Sequence, residues 1–139
     1  GAGAAGGLGF GLLSIFRGRI QSGLELVASL VGFEQHLQGT DLVITGEGSI
    51  DSQSLFGKVP VALANIAQKK GVPTVAFAGK IEGDMEAFQR WGLQLVMPIA
   101  DGPMGLEQCM ESGGDLLQRA SARFWTAIQL GAGLTKRRL

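Results

Sequence analysis

Two carboxylates stand four residues apart in Thr45-Gly-Glu47-Gly-Ser49-Ile-Asp51, and a lysine, Lys58, follows seven residues on. Carboxylates in such a setting can hold a divalent cation or take a proton from a hydroxyl, and the glycines between them let a ligand approach the backbone. Ser54 and Gly57 lie between Asp51 and Lys58, and Pro60 suits an early helical position, where its missing N–H costs little. A helix start with a lysine beside it is a natural seat for phosphate. The plainer alternatives are a polar turn in which Asp51 or Ser52 caps the next helix, and a surface lysine at Lys58. Lys58 precedes Val59 and Ser52 stands five residues before Gly57, so the segment is no Walker A loop.

The other candidate constellations are weaker. Gly1-Ala-Gly3-Ala-Ala-Gly6-Gly7 contains G-x-G-x-x-G, yet no strand precedes it, and Glu25 falls in an expected helix. Bare amides leading into a helix could cradle an anion, or simply allow close helix packing. Ala78-Gly79-Lys80 repeats the arrangement of a strand ending in glycine and a basic residue, and Met97 to Met104 forms a third rim loop expected to be structural. His36 has no second histidine, cysteine or acid at ligand spacing, which points to a helix-end or surface role. Ser49 and Ser54 lack a histidine–acid relay, and Cys109 is expected in the core.

These residues need strands and helices to position them. From Asp41 onward short apolar runs alternate with amphipathic stretches, which predicts strand 41–45, helix 58–70, strand 73–78, helix 84–91, strand 93–97 and helix 105–130. Gly113-Gly114 allows a kink, or a helix start near Asp115. Alternation of this kind gives an α/β fold, a parallel sheet with crossover helices of flavodoxin-like or Rossmann-like character. Leu42 to Ile44 and Val75 to Phe77 are continuous apolar runs, as expected where both sheet faces are covered. Residues 1–38 form a glycine-rich segment with helices over 8–16 and 22–37, broken at Arg17-Gly-Arg19. It is expected to line a cleft, and residues 39–139 form the α/β part with its βαβαβα pattern.

Composition limits the function classes. Apolar residues make up 45% of the 139, enough for a core, and 12 basic residues balance 12 acidic ones. Balanced charge gives no global field for nucleic acid or an anionic membrane, and no run approaches the roughly 20 apolar residues that span a bilayer. A single cysteine excludes an intramolecular disulfide and a cysteine-rich zinc site, which favours a cytoplasmic setting. Glycine is the outlier at 23 residues, against an average usage of about 7%. Gly1-Ala-Gly-Ala-Ala-Gly-Gly reads like the interior of a domain, so a fragment is expected.

Taken together, Gly1-Ala-Gly-Ala-Ala-Gly-Gly-Leu-Gly-Phe-Gly-Leu12, Asp41 to Asp51 with Gln53-Ser54, Gly57-Lys58-Val-Pro60 and Pro103-Met104 resemble the carboxyl-terminal part of the bacterial glycerate kinases of the two-domain, non-P-loop type. The resemblance runs over nearly the whole chain. It implies ATP-dependent phosphorylation of D-glycerate in a cleft between two α/β domains, and an incomplete chain. Asp51 would orient or deprotonate the glycerate hydroxyl, Glu47 would hold Mg²⁺, and Lys58 would neutralise phosphate oxygens, with Glu47 and Asp51 exchangeable and both available to the metal. Gly3, Gly6, Gly7, Gly46, Gly48, Ser54 and Gly57 would line the nucleotide. Val61-Ala62 and Ser49 depart from the family pattern without touching these residues. The expected partners are D-glycerate and ATP, without nucleic acid or membrane, and a homodimer is left open. The alternatives are a non-catalytic nucleotide-binding or regulatory module and a Rossmann-type oxidoreductase.

Overall fold

A computed structural model describes residues 3–51 and 58–136. The chain forms two compact units, Gly1–Gln38 and Gly39–Leu139. The first is helical: α1 (Ala4–Phe16), α2 (Gly23–Leu30) and α3 (Phe33–His36). Helix α1 ends where Arg17 turns left-handed at φ 52° and Gly18 N–H donates to the Leu12 carbonyl at 3.1 Å. The single helix expected over 22–37 is two helices. Gly32 sits at φ 64°, a left-handed conformation that closes a helix, and an added Cβ there would lie 2.6 Å from Gln35 Oε1.

The second unit is the expected α/β fold. Strands β1 (Val43–Ile50), β2 (Thr74–Ile81) and β3 (Leu93–Pro98) form one parallel sheet in the order β1-β2-β3. Helices α4 (Val59–Lys69) and α5 (Met85–Arg90) connect them, and α6 (Leu106–Glu111) and α7 (Gly113–Lys136) follow. Asp84 caps α5 by accepting the Glu86 N–H at 3.0 Å. The long carboxyl-terminal helix breaks at Ser112, whose carbonyl takes the Leu116 N–H at 2.9 Å, so Gly113-Gly114 opens α7 rather than kinking it.

One core holds this unit together. Ile50, Val61, Ala64, Ala76, Ala78, Phe88, Leu93 and Val96 are all buried on the side of the sheet that α4 and α5 cover. The alanines let helix and sheet approach closely, and Phe88 fills the remaining volume at 1% exposure. Burial on both faces holds for β2, whose residues 74–78 are all buried, but not for β1, where Ile44 is 58% exposed. No helix among the described residues is long and apolar enough to cross a membrane.

Candidate functional site

The first strand runs past its expected end at residue 45 and carries Gly46, Glu47, Gly48 and Ser49 inside the ladder. Glycine is what makes this possible. A Cβ at Gly46 would sit 3.3 Å from the Phe77 carbonyl oxygen, and one at Gly79 would sit 2.8 Å from that of Gly48. The two strands therefore approach more closely here than side chains allow. Gly79 and Lys80 likewise belong to β2 and not to a loop beyond it.

Strand β1 ends on a fixed residue. Ile50 is fully buried in the core and its carbonyl accepts the Glu82 N–H at 2.8 Å. Asp51 leaves the sheet directly from that anchor. Its Oδ2 lies 3.5 Å from Lys58 Nζ, and the same ammonium donates to the Ser49 carbonyl at 3.2 Å. Lys58 occupies the N-cap of α4 in extended conformation, with Pro60 in the first turn, so the helix start and the strand end are fastened to each other. With side chains 39% and 27% exposed, the Lys58–Asp51 pair contributes on the order of 0–1 kcal/mol to stability. Its value is directional. Glu47 is half-buried and its Oε1 accepts the Gly48 N–H at 3.2 Å.

Beside this strand end runs a groove of about 930 Å³. Its floor is Ile44, Gly46, Glu47 and Gly48 of β1 with Phe77, Gly79 and Lys80 of β2, and its wall is α6 and α7 with Cys109, Met110, Leu117, Phe124, Trp125 and Ile128. Phe77 and Phe124 meet edge to face, ring centres 5.9 Å apart at 86°. Cys109 is half-buried on this wall and not in the core, because α6 turns its apolar side to open space: Leu106 is 77% and Met110 75% exposed. Lys80 stands on the groove rim and pairs with Glu82 at 2.6 Å.

The rim loop after β3 carries a feature that sequence reading left unassigned. Asp101 accepts from Arg123 Nη1 on one oxygen and from Arg119 Nε, at 2.5 Å, on the other. These arginines stand four apart on α7 and so share a face, the one signal that could have paired them with an acid elsewhere. Their guanidiniums, Arg123 foremost, hold the Asp101 carboxyl below its ordinary range.

The remaining candidates lie elsewhere in the sequence. Gly3, Gly6 and Gly7 belong to the amino-terminal unit, where Ala5, Gly6 and Gly7 all take positive φ and interrupt the first turn of α1. An added Cβ at Gly3, Gly6 or Gly7 would meet open space, so their backbone is bare to a ligand. Ser54 and Gly57 lie outside the described residues. His36 ends α3 with Nδ1 2.9 Å from the Gly32 carbonyl, in keeping with a helix-end role. Among the described residues no group of three or more His, Cys, Asp or Glu side chains could hold a metal by itself.

The profile of the glycerate kinase family matches residues 1–129. A glycerate kinase of Bacillus subtilis (strain 168) is 38% identical over 130 residues, which cover 94% of this chain and 34% of that one. A glycerate 2-kinase of Escherichia coli (strain K12) is 36% identical over 131 residues, again 94% and 34%. The crystal structure of a putative glycerate kinase 2 from Salmonella typhimurium LT2 superimposes with a TM-score of 0.68 at 36% identity, over 97% of this chain and 34% of that one. The chain thus spans about a third of the length of these relatives.

Proposed function

The chain belongs to the glycerate kinase family, and on that premise we propose that the protein transfers the terminal phosphoryl group of ATP to a hydroxyl of D-glycerate, giving a phosphoglycerate. The observation that carries this reading at the residue level is the emergence of Asp51 from the anchored end of β1, with Lys58 against its carboxylate and Glu47 on the groove beside it. Phosphoryl transfer asks a protein mainly to position groups and to neutralise charge.

The two carboxylates take different parts. Four residues of extended chain at about 3.3 Å each separate Glu47 and Asp51 by roughly 13 Å at the backbone, so one ion bound directly by both is disfavoured. Mg²⁺ is commonly held by one or two carboxylates plus substrate phosphates, and a single carboxylate therefore suffices. Lys58 already sets a positive charge against Asp51, which makes Glu47 the better ligand. A bound Mg²⁺ supplies neutralisation of the phosphate oxygens. Asp51 then accepts the hydroxyl proton of glycerate and aligns its oxygen with the phosphorus, and the glycine-opened backbone at Gly46 and Gly48 lets the nucleotide approach. The bare amides around Gly3, Gly6 and Gly7 offer a second anion cradle.

The test is ADP release by the intact protein with Mg·ATP and D-glycerate, beside the Asp51→Asn variant. Loss of a general base costs on the order of a hundredfold to ten-thousandfold in rate, and the circular dichroism spectrum should not change. Near-normal turnover by Asp51→Asn overturns the role of Asp51. Nucleotide binding without any glycerate-dependent ADP release favours a non-catalytic nucleotide-binding module instead.

A further inference from the structure

A lysine at a helix start beside a carboxylate invites the role of phosphate ligand, but its bonds here point elsewhere. An ammonium has three donors. Two of those of Lys58 are directed at the end of β1, to the Ser49 carbonyl at 3.2 Å and to Asp51 Oδ2 at 3.5 Å. Both acceptors flank Ile50, which is itself held twice: its side chain is fully buried and its carbonyl receives the Glu82 N–H. The lysine thus closes a frame around the strand end, one bond before the anchor and one after it. Asp51 is the only member of that frame whose function depends on where its oxygens aim.

We propose that Lys58 is a positioning residue, which fastens the Asp51 carboxylate toward the substrate hydroxyl through the Ser49 carbonyl and does not bind nucleotide phosphate. This rests on the proposed role of Asp51. A lysine serving phosphate spends its charge on the ligand, whereas this one spends it on a carboxylate that already offsets it. The pair is too exposed to matter much for folding, so removing the ammonium should cost aim rather than stability.

Lys58→Met and Lys58→Arg in the intact protein separate the alternatives through three readings: amide hydrogen exchange over Ser49 to Asp51, affinity for Mg·ADP by calorimetry, and steady-state kinetics with Mg·ATP and D-glycerate. Lys58→Met is expected to accelerate exchange at the strand end, to lower kcat by about tenfold to a hundredfold as loss of an orienting partner does, and to leave nucleotide affinity within about threefold. Lys58→Arg, which can reach both acceptors, should recover much of kcat. A fall in Mg·ADP affinity that matches the fall in kcat would make Lys58 a phosphate ligand and overturn the proposal, as would unchanged exchange together with unchanged kcat. Absence of glycerate-dependent turnover in the unaltered protein defeats the kinase reading alone. Exchange then decides the fastening by itself: faster exchange in Lys58→Met sustains it, and unchanged exchange overturns it.

Discussion

The two faces of the three-stranded sheet are built to opposite rules. On the side of α4 and α5, Ala64, Ala76, Ile50 and Leu93 are fully buried and Phe88 and Ala78 nearly so, small and large side chains together in one cluster. On the side of α7, Phe77 touches Phe124 in a single edge-to-face contact while Ile44 stands 58% exposed over a groove of about 930 Å³. The difference teaches where each property of the molecule resides. Stability comes from the sealed face, and the groove and the strand end beside it leave room for ligands.

Core truncation is the most direct way to break that contrast. Phe88→Ala removes a large buried side chain whose surroundings cannot collapse fully, and about 3–5 kcal/mol of stability should go with it. Ile44→Ala on the open face should cost about 0.5 kcal/mol, as substitutions at exposed positions do. Denaturant unfolding of both variants measures the two numbers side by side. Equal losses would mean that the open face is as tightly packed as the other.

A pair of glycines sharpens the comparison further. Gly92 has φ 92°, and an added Cβ would lie 2.8 Å from the Ala64 carbonyl oxygen, part of the α4 backbone on the sealed side. Gly92→Ala therefore combines conformational strain with a clash against a helix that cannot move, for a loss of about 1–3 kcal/mol. Gly79→Ala meets the Gly48 carbonyl oxygen at the same 2.8 Å, but without a positive φ and against an edge strand that has open groove beside it. Its melting temperature should fall less than that of Gly92→Ala. Its turnover should suffer more, because displacing Gly48 displaces Glu47. A Gly79→Ala variant that melts early yet turns over normally would sever the groove strands from the chemistry.

How much of this was legible beforehand follows from which forces act locally. The parallel α/β fold was readable because a buried central strand and amphipathic crossover helices each carry their own periodicity, and the family resemblance is borne out because its motifs are contiguous. Strand ends were misread at Gly46 and Gly79. Glycine in a strand reads as a stop, whereas here it permits a close approach between β1 and β2 that only the neighbouring strand reveals. The same holds for Gly32, where one left-handed residue divides a continuous apolar stripe into α2 and α3. Cys109 was expected in the core because apolar periodicity shows that a helix has an apolar side but not what covers it. The Lys58 bonds to Ser49 and Asp51 span nine and seven residues, a separation at which sequence spacing carries no geometric information.

The smallest expected effect concerns the tie that joins the rim loop to the groove wall. Asp101 receives Arg123 and Arg119 of α7, and these partners lower its carboxyl below the ordinary value of 3.8. A carboxyl that is more acidic when folded stabilises the fold above its unfolded value and ceases to do so as pH falls through its folded one. Asp101→Asn keeps the shape and one acceptor but loses the charge. The stability gap between the two proteins should therefore be level through neutral pH, and should narrow as the pH falls below about 4. Because the pair is solvent-exposed, 1 M salt at neutral pH should narrow it too. A gap that survives both acid and salt would mean that the contact is held by hydrogen-bond geometry alone. The groove wall would then be fastened to the loop by shape, in the same sense as the side chains of the sealed face.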